Sequence, residues 1–176
     1  MKQKLYILSL IGWSLTAVTM LLTLFRINLV GKFPFLLILF PGIFVVLIPC
    51  ILYAKNNERI VEYEYDNDMV FSSGSIPLIP FFEKLPNWII GMLGLSFMVA
   101  IICLSKSFNA EGTGQIINNK YFLTNHGNVI KEISKIEYEN NKLLNIRGFF
   151  GLAMLFYAIA ILVYKKLIEW ENSDAE

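Results

Sequence analysis

Leu5-Tyr-Ile-Leu-Ser-Leu-Ile-Gly-Trp-Ser-Leu-Thr-Ala-Val-Thr-Met-Leu-Leu-Thr-Leu-Phe25 runs from end to end without a charged side chain. A bilayer core is about 30 Å thick, and a helix crosses it with roughly 20 mostly apolar residues. The stretch is too long for the apolar part of a signal peptide, and no small-x-small cleavage pattern follows in Leu24-Phe25-Arg26-Ile27-Asn28. It reads as a membrane span. Three further runs repeat the pattern, at about 34–54, 88–105 and 148–164.

Each run is closed by cations that can snorkel to lipid headgroups: Lys2, Lys4 and Arg26 around the first, Lys32 and Lys55 around the second, Lys84 and Lys106 around the third, Arg147, Lys165 and Lys166 around the fourth. Soluble core helices carry one polar face, whereas these runs are apolar all round. The whole chain agrees. Of its 176 residues 56% are apolar and 16% charged, where soluble domains average about 45–50% and about 25%. The net charge of +1 gives no basic field for nucleic acid. The predicted fold class is an all-α membrane protein with four transmembrane helices and a small extramembrane β-hairpin.

The predicted organisation is a transmembrane hairpin in 1–54, an acidic connection in 55–87, the third span in 88–105, a hairpin and helix connection in 106–147, and the fourth span with its tail in 148–176. The turn from Arg26 to Phe33 is tight, so spans 1 and 2 are expected to pack as an antiparallel pair. Alternation across residues 60–65 predicts a short strand, one face aromatic and one acidic. Six acids (Glu58, Glu62, Glu64, Asp66, Asp68 and Glu83) stand against three cations there. A calcium loop starting at Asp66 fails, because Val70 and Phe71 fall at its fifth and sixth positions. A turn is expected at Ser72–Ser75. The following stretch to Phe82 is broken by Pro77 and Pro80, which predicts an irregular segment on the membrane surface or against the helices.

In the second connection two β-prone stretches flank Asn125-His126-Gly127-Asn128, a turn in which Gly127 takes φ > 0 without a Cβ penalty. Ser134-Lys-Ile-Glu137 matches a capping box, so a helix should begin near Lys135 and run into the last span, with Gly148 and Gly151 as its weak points. The residues from Trp170 onward read as a soluble tail. His126 is the chain's one histidine, and with no orienting partner in view it reads as a turn residue and not as a catalytic base.

None of the four runs holds Asp, Glu, Lys, Arg or His, the residues that mark proton relays and ion pathways in membranes. No zinc-protease, serine-hydrolase or nucleotide-binding motif is present. The expectation is therefore no enzyme, no catalytic or metal site and no cofactor. Ser9, Ser14, Thr16, Thr19 and Thr23 are expected to donate hydrogen bonds between helices. Cys50 and Cys103 read as buried thiols acting as small apolar residues, with palmitoylation or a disulfide as alternatives.

Pro41-Gly42 and Pro49 interrupt the second span, predicting a kink that serves either as a packing bend or as a docking groove. Tyr121-Phe-Leu-Thr-Asn-His-Gly127, with Lys131-Glu-Ile-Ser134 and Ile136-Glu-Tyr-Glu139 after it, resembles a segment of small, largely uncharacterised bacterial inner-membrane proteins. Some of those are suspected immunity proteins against secreted antibacterial toxins. The resemblance spans residues 115–139 and implies a bacterial inner-membrane setting and a partner-binding role without enzymatic activity. The expected partners are the lipid bilayer and a protein, either a toxin or a subunit of a membrane complex. The expected partner-binding residues are Pro41, Gly42, Pro49, Tyr121, Phe122, Asn125, His126 and Gly127. The alternative is a small channel or transporter component in which the Ser/Thr-rich first span lines a polar path. With both termini inside, seven Lys and Arg lie inside and eight outside. The cations flanking the first and last spans tip the expectation to cytoplasmic termini.

Overall fold

A computed structural model describes residues 1–66, 77, 79–108 and 111–174. Four helices are long and apolar enough to cross a bilayer, in Lys2–Leu24, Pro34–Lys55, Asn87–Ser107 and Lys135–Ser173, so the predicted number of long helices holds. The order is α1 (Lys2–Leu24), α2 (Leu29–Lys32), a 3-10 turn (Pro34–Ile38), α3 (Leu39–Lys55), α4 (Glu58–Asp66), α5 (Ile79–Phe82), α6 (Asn87–Phe108), β1 (Thr113–Ile117), β2 (Lys120–Asn125), β3 (Asn128–Glu132) and α7 (Lys135–Ser173).

The long α7 is the element on which the others pack. At 39 residues it spans about 58 Å at 1.5 Å per residue. It starts at the capping box: Ser134 Oγ accepts from the Glu137 N–H at 3.2 Å, and the Ser134 N–H donates to Glu137 Oε2 at 2.7 Å. No break occurs at Gly148 or Gly151. A Cβ on Gly148 would stand 3.1 Å from Ser107, and one on Gly151 would stand 3.4 Å from Cys103 Cβ. These glycines bring α6 close, where the sequence suggested weak points. The tail is also helical, to Ser173, and Trp170 is buried against Phe81 with ring centroids 5.3 Å apart.

α1 buries Leu5, Ser9, Gly12, Thr16, Thr19 and Thr23. Steps of four and three along a helix place these small residues on one seam, and that seam faces α7. Lys2 pairs with Glu171 at 3.3 Å at one end. At the other, Arg147 Nε donates to Thr23 Oγ1 at 3.1 Å. α1 therefore runs antiparallel to α7. α3 runs parallel to it, because Tyr157 Oη donates to Leu39 O and Tyr164 Oη to Val46 O, each at 2.7 Å. α1 and α3 are thus antiparallel as expected, but each packs far more on α7 than on the other. The two ends of the chain share one end of the bundle.

The hydroxyls of α1 do not act as expected. Ser9 donates to Leu5 O, Thr16 to Gly12 O and Trp13 O, Thr19 to Leu15 O and Thr23 to Met20 O. The carbonyl one turn back is the nearest acceptor and needs no partner helix. Ser14 is exposed. A bond from α1 that does reach another helix runs from Trp13 Nε1 to Ser96 Oγ at 2.9 Å.

Residues 60–65 form no strand. They belong to α4, where the Asn57 side chain accepts from the Arg59 N–H at 3.1 Å. Ile60 is buried and Tyr63 and Glu64 are half-buried, a spacing that fits a helix face as well as six residues of alternation fit a strand. Asp68 and the turn read at Ser72–Ser75 lie outside the described residues. The proline-broken stretch ends in the single turn α5, whose Pro80 and Phe81 are buried against the bundle.

The expected hairpin is present and has a third strand. β1, β2 and β3 form an antiparallel sheet in chain order. Ile117 pairs with Lys120 and Asn125 with Asn128, so each connection is a two-residue loop. Asn118, Asn119, His126 and Gly127 all have positive φ (49°, 62°, 48° and 85°), as type I′ turns require. The left-handed pair at the tip is thus His126-Gly127.

Candidate functional site

The sequence-nominated residues fall in two places. Tyr121, Phe122, Asn125, His126 and Gly127 lie on β2 and its tip. Pro41, Gly42 and Pro49 lie on α3.

The sheet is latched to the first turns of α7. Asn141 Nδ2 donates to Gly112 O at 2.9 Å while its Oδ1 accepts from the Gly114 N–H at 2.8 Å. The Tyr121 ring lies 5.0 Å from that of Tyr138, and a Cβ on Gly114 would stand 2.8 Å from Tyr138. Tyr121 therefore helps to dock the sheet, together with buried Leu123. Strand alternation turns Phe122 the other way, onto the face shared with Ile117 and Val129. Asn125, His126 and Gly127 are exposed at the tip. Ile116, Ile117, Val129 and Ile130 are between 36% and 56% exposed. Glu111 and Lys131 pair at 2.7 Å across the sheet. The hydrogen bond and charge of Lys131 hold the Glu111 carboxyl below the usual range, and Lys131 is raised in return.

The second place is a cleft between α7 and the connection that leads from α1 into α3. Its lower part is an apolar pocket of about 280 Å³, walled by Leu37, Phe40, Pro41, Phe149, Phe150 and Ala153. Pro41 sits in the first turn of α3, where its missing N–H costs nothing. Gly42 faces inward: a Cβ there would lie 2.7 Å from Tyr157 Oη, so it makes room for a neighbouring ring. Pro49 stands two turns further along α3, half-buried and away from the pocket. The carbonyl it leaves without a donor is that of Val45, and Tyr164 bonds the next one, Val46.

Above the apolar pocket lies a polar one of about 320 Å³, walled by Arg26, Asn28, Glu139, Asn140, Lys142 and Leu143. Between the two sits a small cluster of buried Val30, Leu36 and Phe150. Arg26 closes α1 in a Schellman arrangement: the Ile27 N–H donates to Leu22 O and the Arg26 N–H to Thr23 O, with Arg26 at φ 60°. Neither Arg26 nor Lys142 has an ion-pair partner among the described residues. In sequence Arg26 and Arg147 were alike, as cations ending spans. The fold separates them, since Arg147 is spent on Thr23.

Every buried side-chain polar atom among the described residues has a hydrogen-bond partner. No group of three His, Cys, Asp or Glu side chains gathers there in a metal-holding arrangement. Cys50 and Cys103 are free and buried, on different helices. Comparison with protein families, with curated proteins and with solved structures finds no match to this chain.

Proposed function

We propose that the chain is a multi-pass protein of the bacterial inner membrane, with both termini in the cytoplasm, that binds a partner protein without catalysing a reaction. The observation that carries the reading is the sheet. Asn141, Tyr138 and Tyr121 dock a three-stranded sheet against the first turns of α7. The sheet leaves Ile117 and Val129 exposed beside Phe122 on the face turned from α7, outside the predicted spans, and exposed apolar patches mark interaction sites. The sharper form is an immunity protein that blocks a membrane-acting toxin, supported by the resemblance across residues 115–139. The channel alternative draws less support, because Ser9, Thr16, Thr19 and Thr23 face α7 and bond their own helix.

The test uses a photo-crosslinking residue at Val129, with Met98 on the outer face of α6 as the comparison. In cells the Val129 probe is expected to give a discrete protein adduct that Met98 does not. Lipid adducts alone at both positions would remove the partner reading. For the immunity form, the gene is deleted in a strain that keeps its neighbouring toxin gene, and unchanged viability rejects it. A reporter at the C-terminus reads the orientation.

A further inference from the structure

The polar and apolar pockets lie one above the other, on neighbouring faces of α7 and along one connection. We propose that together they bind one anionic glycerophospholipid, with the phosphate in the polar pocket and an acyl chain in the apolar one. The inference rests on the membrane reading above.

Depth along α7 supports it. Residues 148–164 are uncharged, so Arg147 marks the hydrocarbon edge. Lys142 stands about 7.5 Å beyond it at 1.5 Å per residue. The headgroup layer is about 5–8 Å on each side of the core. The polar pocket therefore falls at headgroup depth. Phe150 lies about 10 Å below Leu143 along the same helix, which places the apolar pocket among acyl chains.

Charge supports it too. Arg26 and Lys142 bring two unpaired cations to the polar pocket. Its one carboxylate, Glu139, stands 4.0 Å from Lys135 outside the pocket wall, so the cations outnumber it. Asn140 adds a side-chain amide able to donate. A phosphodiester brings negative charge and acceptor oxygens to the two cations.

Arg26 gives the independent clue. It fills the left-handed position after a helix, where glycine fits without strain and other residues do not. Conformation alone favours glycine at this point, and the chain carries an arginine whose side chain walls the pocket. A backbone strain kept at a charged residue beside a cavity points to a use for that charge.

The same feature supplies a variant that is safe for folding. Arg26→Gly removes the cation and relieves the backbone. The full chain, purified in a mild detergent, is titrated with dioleoyl phosphatidylglycerol and followed by native mass spectrometry. Dioleoylglycerol, which lacks phosphate, and inorganic phosphate are the two comparison probes. One retained phosphatidylglycerol is expected per chain. Retention should weaken about tenfold in Arg26→Gly and in Lys142→Gln, the scale of losing one charged hydrogen bond. Thermal stability of Arg26→Gly should equal or exceed that of the parent chain. Dioleoylglycerol should bind weakly, and millimolar phosphate should not displace the lipid. Unchanged retention in both variants overturns the proposal. So does equal binding of dioleoylglycerol, which leaves only an apolar groove, and so does displacement by phosphate, which leaves a free-anion site. A chain that stays monodisperse in buffer without detergent refutes the membrane reading, whereas a detergent-requiring chain that ignores phosphatidylglycerol refutes the lipid site alone.

Discussion

Gly12→Ala places a methyl group against a ring that has nowhere to go. Its Cβ would lie 2.4, 2.6 and 2.7 Å from Cε1, Cζ and Cδ1 of Tyr157, against an ordinary contact of 3.4–4 Å. The ring must retreat by about 1 Å, a shift that overpacked cores resist. Tyr157 is 3% exposed, its hydroxyl is tied to Leu39 O at 2.7 Å, and α3 closes behind that hydroxyl at Gly42. Overpacking of this kind costs about 1–3 kcal/mol, and displacing the hydroxyl bond adds about 0.5–1.5 kcal/mol. Alanine returns about 1 kcal/mol through helix propensity. The net expectation is a loss of about 0.5–3.5 kcal/mol. At Gly94, on the open face of α6, nothing lies within 4 Å of a new Cβ, so Gly94→Ala keeps only the gain. Cys50 and Cys103 are 3% and 6% exposed, so a thiol-reactive dye added during heating in detergent reports unfolding of each variant. In a Tyr157→Leu background the penalty of Gly12→Ala should shrink by more than about 0.5 kcal/mol, the mark of coupled neighbours. If Gly12→Ala melts at or above Gly94→Ala, the wedge of Tyr157 between α1 and α3 is not what sets their approach.

Four further outcomes are expected. Asn141→Ala should release the sheet, at about 1–3 kcal/mol for the two backbone groups left unpaired, seen as faster amide exchange at Gly114 with α7 unchanged beyond Arg147. Thr19→Val should be neutral within about 0.5 kcal/mol, because the Thr19 hydroxyl bonds its own helix; a large loss in the dye assay would restore the interhelical role. Trp13→Phe removes the bond to Ser96 and should cost about 0.6 kcal/mol, the membrane average, well below Gly12→Ala. The Ser134 backbone N–H, and then its side chain, hold the Glu137 carboxyl below the usual range. A depressed carboxylate stabilises the fold above its ordinary pKa, and that contribution is lost as pH falls through the lowered value. The Ser134 amide resonance should therefore titrate with a midpoint below that of a free glutamate, and Glu137→Gln should abolish the inflection.

How much of this was legible depends on whether a residue's role is local. The capping box is complete within four residues, and it fixed the start of a helix that then had no proline to stop it. The four apolar runs were legible for the same reason, as was the turn at His126-Gly127. The third strand was signalled by Asn118-Asn119, a pair suited to a type I′ turn, yet Thr113–Ile117 alone has no clear alternation. Residues 60–65 satisfy both periods, and what decided for helix was the cap at Asn57 and the burial of Ile60. Serine and threonine counts name donors but not the carbonyl each will choose. Pro41 was singled out for its backbone chemistry and does wall a pocket. Gly42 was singled out with it, and its use depends on a tyrosine in the last helix, which no local pattern reveals. Arg26 reads in sequence only as a cation closing a span, because its left-handed backbone angle and its place on a pocket wall leave no local pattern.

The central position of α7 bears on how the protein is made. Synthesis runs from the N-terminus, so the helix that α1, α3 and α6 all lean on leaves the ribosome after them. Until it arrives those three have no common partner, and the slots beside Gly12 and Gly42 stand unfilled. The hydroxyls of Ser9, Thr16, Thr19 and Thr23 find their acceptors within α1 before any partner helix is made. The arrival of Tyr157 fills both slots and joins α1 to α3, so a chain halted before Ser134 would hold the helices but not the architecture.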